Sequence, residues 1–222
     1  MTPPVPSFAE GRAVWVADLD RVAARDHWGA ALAALGCVHL AFFATCQVMH
    51  TSGDRHNWHY PTLWVAEVAT ALAVLAAIAG RGWVRSTPLA GLIARVWGTV
   101  LILSLSLASM NAMSGFDLEW FKPVLCTLAT FGFMMMAYLV SSWFFAAAVW
   151  MSLTGILMVN ALNLGYVIHG VSWWVALVTI GATLEVRRRT VLAARRPIAL
   201  RIVVPPWTVA IGSSRFSANR PS

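Results

Sequence analysis

The stretch HTSGDRHNWHYP, residues 50–61, places His50, His56 and His59 beside Asp54 and Arg55 between two long apolar runs. Imidazole is the commonest metal ligand, and carboxylates join it in zinc sites. His56 and His59 stand three apart, which puts both on one face if the loop forms a helical turn. His169, far along the chain, is a fourth histidine of the same level once the helices are threaded across a membrane. The cofactor this set points to is a metal ion, or a haem held by His50 and His169. Asp54, Asp117 and Glu119 supply carboxylates on that face. The bland alternative is equally physical: histidine tolerates an interface and hydrogen-bonds at helix ends without any metal.

A second kind of residue is Glu67, about 9 Å into an apolar run by helical rise. A carboxyl group there must face protein or water, or be protonated. It could relay protons, bind a cation, or pair with Arg or His. Asn160 and Asn163 are further polar groups inside an apolar run. His39 sits near the middle of the first run with no other histidine expected at its depth, so a central bis-histidine haem is not expected within one chain. No GxSxG, no P-loop, no HExxH and no CxxC are present, so catalysis has no sequence signature. Cys37, Cys46 and Cys126 all fall in apolar runs and read as small buried hydrophobes.

The elements that must hold these residues follow from composition. The 222 residues are 59% hydrophobic and 11% charged, where soluble domains carry about 25% charged residues. Runs of about 20 apolar residues span the hydrocarbon core as helix. The expected fold is all-α: a polytopic membrane bundle of about six transmembrane helices, at 29–50, 61–80, 91–113, 121–140, 143–163 and 165–186. Residues 1–28 form a cytoplasmic segment with a short amphipathic helix, and 187–222 a basic cytoplasmic tail. Of the sixteen basic residues, only Arg55 and Lys122 fall on the outer side, leaving fourteen for the inner side. Positive residues hold the cytoplasmic side, so both termini are expected there. The net charge of +7 serves this orientation; nucleic acid is not an expected partner. Tryptophans such as Trp28, Trp64, Trp83, Trp143 and Trp173 fall near predicted helix ends and read as interface anchors. Small residues four apart, Gly29 with Ala33 and Ala69 with Ala73 and Ala77, suit close helix crossings.

The order YPTLW, LIARVWG, SSWFFAAAVW and LGYVIHGVSWW ending in EVRRR resembles the multi-spanning membrane segment that follows the kinase domain in some planctomycete-type bacterial serine/threonine kinases. It covers about residues 60–189, and no kinase domain accompanies it here. The resemblance implies a membrane-embedded module of a signalling or envelope assembly, with no catalytic residues to carry over. The functional expectation is a non-enzymatic integral membrane module of a bacterial cytoplasmic membrane: an anchor, a sensor or a subunit. Its partners would be the lipid bilayer and other membrane subunits or a signalling protein. Alternatives are an outer-face metal or haem redox protein using the histidines, and a small proton-coupled transporter using Glu67.

Overall fold

The computed structural model describes residues 10–11, 13–15, 17–18, 21, 27–54, 56, 58–113 and 118–202. Among them the chain is helical throughout, with no strand. Six long helices follow one another: α1 (Trp28–Thr51), α2 (His59–Ile78), α3 (Pro88–Met113), α4 (Leu118–Leu139), α5 (Phe144–Asn160) and α6 (Gly165–Ile202). A helical turn at Trp83–Ser86 precedes α3, and a 3-10 turn at Leu162–Leu164 joins α5 to α6. Five of these segments are long and apolar enough to cross a membrane; Phe144–Asn160, with 17 residues, is the shorter one. The break expected near Gly165 is that 3-10 turn, and the break at Ser141-Ser142 is a turn as well. The last helix runs past the expected end at Val186 to Ile202. Residues 203–222 of the tail, together with Arg55 and Asp117, lie outside the described residues.

Glycines finish two of the helices. Gly53 (φ 81°) follows α1 and Gly80 (φ 86°) follows α2, the left-handed position that ends helices without a Cβ penalty. In the amino-terminal segment, Trp15 packs on the core and buried Asp18 accepts the Leu89 amide at 3.0 Å. That carboxylate satisfies one of the orphan donors that open α3.

The backbone of the bundle is the antiparallel pair α1–α6, its most extensive contact. A Cβ on Gly29 would lie 2.7 Å from the Gly181 carbonyl oxygen, and one on Gly181 would lie 2.6 Å from that of Gly29. Only hydrogen fits on either side. Further along, a Cβ on Gly170 would meet that of Phe43 at 2.9 Å. These crossings fix the register and set Gly170 at the level of Phe43. α4 packs on α5, α3 on α4, and α2 on α1, whereas α2 and α3 barely touch. One core runs from the arginine-rich end, with Phe133, Met136, Met151 and Ile180, as far as Cys126 and Met158. A second fills the opposite, histidine-bearing end with Phe43, Cys46, Tyr60, Trp64, Phe121 and Tyr166. Trp64 and Trp173 are therefore interior packing residues rather than interface anchors: Trp64 stacks on Phe121 and Trp173 meets Trp97 edge-on. Ala69, Ala73 and Ala77 face outward from the bundle, so the small stripe of α2 makes no crossing within this chain.

Candidate functional site

The polar interior is built around His39 on α1. Its Nδ1 is hydrogen-bonded to Glu67 Oε1 on α2, so the isolated carboxyl of the sequence has a histidine partner. Imidazolium with carboxylate, or imidazole with carboxylic acid, both sum to zero charge. That is the form in which ionisable groups are tolerated in hydrocarbon. The His39 ring also lies 5.4 Å from that of His169, 4.4 Å from Phe43 and 5.2 Å from Trp173, centroid to centroid. His39 Nε2 is buried with no hydrogen-bond partner among the described residues.

This corrects the expectation that His39 has no histidine at its depth. The first turn of α6 tucks under the end of α1 instead of starting level with it. Gln47 on α1 makes this join: its Nε2 donates to the Asn163 carbonyl at 2.7 Å, and its Oε1 accepts the Val167 amide at 3.4 Å. His169, four residues into α6, thus arrives beside His39 rather than beside His50. A histidine pair thus stands at the His39 level, and His50 is turned toward Lys122 instead.

His50 belongs to a different group. Its Nε2 is 3.4 Å from Lys122 Nζ, and Lys122 donates to the Leu162 carbonyl at 2.8 Å while lying 4.9 Å over the Tyr166 ring. Lys122 is 1% exposed. It was expected to face water as an outer basic residue, yet it is folded into the bundle. Gly165 makes the room, since a Cβ there would fall 2.6 Å from Lys122 Cδ. His56 and His59 form a third, exposed group. Their rings stack at 4.4 Å; His59 Nδ1 is 2.6 Å from Asp54 Oδ2, and the His56 amide donates to Asp54 Oδ1 at 2.9 Å. These bonds, the His56 amide foremost, hold the Asp54 carboxyl below the usual aspartate range.

The four histidines of the expected ligand set are therefore divided among three places. Among the described residues, no three of His, Cys, Asp and Glu converge as a metal site. Asn160 Nδ2 merely returns to its own helix at Ile156 O, and Asn163 takes part through its backbone carbonyl. Glu119 lies in the first turn of α4.

Beside His39 and Glu67 the bundle holds a cavity of about 570 Å³. It occupies the gap left where α2 and α3 fail to pack, with α1, α4 and α6 behind it. Its walls are apolar along almost their whole length, from Trp28 and Trp83 at the arginine-rich end to Trp64 and Phe121. The ionisable groups in that wall are His39, Glu67 and His169, gathered at one level. Drug-sized ligands occupy cavities of about 300–1,000 Å³ lined in this manner.

No protein-family model, curated protein or solved structure matches the chain.

Sequence reasoning passed over Gln47 and Tyr166, read Cys126 only as a small buried hydrophobe, and placed Lys122 on the outer side. A signal was available for Gln47 and Lys122, since they are the only glutamine and the only lysine of the chain. Each interrupts an apolar helix, and each proves to be buried.

Proposed function

We propose that the chain is a non-enzymatic multi-pass module of a bacterial cytoplasmic membrane, a sensor or complex subunit. In this reading it admits a lipid-phase molecule into the cavity between α2 and α3. The cavity carries the argument. A gap between two membrane-spanning helices is reached from the hydrocarbon, so its occupant is an elongated apolar molecule. His39, Glu67 and His169 are the ionisable groups along it among the described residues. A hydroxyl at that level would meet the part-accessible His39–Glu67 pair.

The proposed topology is six crossings with both termini cytoplasmic. The fourteen-to-two division of basic residues supports it, although Lys122 is buried rather than facing water. The short α5 rises about 25 Å, and the following 3-10 turn adds about 6 Å. Together they reach the roughly 30 Å of the hydrocarbon core. The resemblance to the membrane segment of planctomycete-type kinases supports a place in a signalling or envelope assembly.

Gly98 provides the test. It lines the cavity, and a Cβ added there meets nothing within 4 Å. Gly98→Leu therefore enters the space from a position where an added Cβ meets no neighbour. Wild-type protein purified in mild detergent is expected to retain a lipid-phase molecule through detergent exchange, detected by native mass spectrometry. The variant should lose it while keeping its helical circular dichroism. Retention of the same molecules by both proteins would refute the reading.

A further inference from the structure

On the far side of His169 a second group of side chains meets. Cys126 on α4, Met158 on α5 and His169 on α6 are 0%, 1% and 3% exposed. Cys126 Sγ lies 3.3 Å from Met158 Sδ and 3.1 Å from His169 Nδ1. A thiol, a thioether and an imidazole, one from each of three helices, thus meet around a single sulfur. His169 is the one member of this group that also lines the cavity.

We propose that Cys126, Met158 and His169 form a three-donor site for copper(I) in the interior of the bundle. Soft thiolate and thioether donors select copper(I), and imidazole suits copper as well. Charge argues for the same ion. The thiolate cancels one positive charge, so the loaded site is neutral and compatible with a dry interior. A divalent ion on the same donors would leave one positive charge there, which is costly in hydrocarbon. Magnesium and calcium are oxygen-seeking and find no carboxylate in the trio. Zinc prefers four donors in closed sites, and three are present.

The two separations about Cys126 Sγ need little change. With metal–sulfur and metal–nitrogen bonds of about 2.3 and 2.0 Å, a trigonal centre separates two sulfurs by about 4.0 Å and sulfur from nitrogen by about 3.7 Å. The present separations must open by about 0.6–0.7 Å each. The unbranched Met158 side chain can absorb such a shift. Binding breaks the Cys126 Sγ–H bond and forms a copper–sulfur bond. One proton leaves to solvent for each ion bound, and no electron is transferred. Without metal, the single Cys126 S–H donates to Met158 Sδ while Sγ stays within hydrogen-bond distance of His169 Nδ1, so the three donors remain close.

The test uses the full chain in detergent, carrying Cys37→Ala because Cys37 is the exposed thiol. Copper(I) is titrated against bicinchoninate under anaerobic, reducing conditions. The expectation is one ion per chain, one proton released per ion, and an X-ray absorption spectrum with two sulfur neighbours and one nitrogen neighbour. Loss of an outer partner costs about 10–100-fold in metal affinity. Removing a direct ligand by Cys126→Ala should therefore weaken binding by more than about 100-fold. Met158→Leu, which conserves volume and so preserves the fold, should weaken it and remove one sulfur neighbour. Cys46→Ala should change nothing. Absence of stoichiometric binding, or wild-type affinity retained in Cys126→Ala or in Met158→Leu, overturns the proposal.

Discussion

Replacing Gly181 by alanine probes the crossing that brings His39 and His169 together. The new methyl carbon would lie 2.6 Å from the Gly29 carbonyl oxygen. That is about 0.8 Å inside ordinary van der Waals contact. The obstacle is backbone, which cannot rotate away as a side chain would, so α1 and α6 must separate or slide. Overpacking of this kind costs about 1–3 kcal/mol, roughly 5- to 150-fold in the folded-to-unfolded ratio at 1.4 kcal/mol per decade. Gly98→Ala is the control. Nothing lies within 4 Å of its added Cβ, and alanine is favoured over glycine in a helix by about 1 kcal/mol. Unfolding in mixed micelles with increasing dodecyl sulfate, followed by circular dichroism, reads both. Gly181→Ala should unfold at a lower detergent fraction than wild type, and Gly98→Ala at an equal or higher one. If the two variants unfold together, α1 and α6 do not cross as closely as argued, and the level assigned to His169 falls with that contact.

Three further outcomes are expected. His39→Leu leaves Glu67 without its partner and should destabilise by about 3–5 kcal/mol, whereas His39→Leu with Glu67→Leu together should recover most of the loss; the same micelle unfolding assay measures the cycle, and equal stability of the single and double variants counts against the pair. Gln47→Leu removes the partner of the Asn163 carbonyl and should cost about 1–3 kcal/mol, read as faster proteolysis at the α5–α6 join. Asp54 has its carboxyl held below the ordinary range, so its contribution to stability is full above the unfolded value of about 3.9 and fades as pH falls through the folded one. Asp54→Asn should therefore be less stable than wild type at pH 7, and the difference should shrink below about pH 4; a gap that persists at low pH would disprove the sign.

The helices were legible because each apolar run is as long as the bilayer demands and is punctuated by Gly53, Gly80 or the NLGY turn. Glu67 was legible as an anomaly for the same reason, a charge within hydrocarbon. Its partner was not. His39 lies 28 positions away, and only the register of α1 against its neighbours decides which residues share a level. The same gap misdirected the reading of the histidines. Proximity in sequence gathered His50, His56 and His59, although helix geometry turns His50 into the bundle and leaves the other two in the loop. Conversely, Cys126, Met158 and His169 are spread over 43 positions and meet only because three helices converge. Periodicity marks which face of a helix is apolar, but not how far one helix slides along another.

The attachment of α2 has a consequence of its own. Its buried residues, Tyr60 and Trp64, both lie in its first two turns, and Glu67 is tied to α1 just beyond them. Past that point α2 buries no residue against the protein. Its exposed residues, such as Leu72, would meet acyl chains in a bilayer, while Val68, Ala71 and Leu75 stay half-buried beside the cavity. The width of the gap beside it is then a property of the surrounding lipid as much as of the sequence. In this sense the bilayer supplies part of the tertiary structure, and a change in membrane thickness or fluidity reaches the Glu67 level without passing through any ligand.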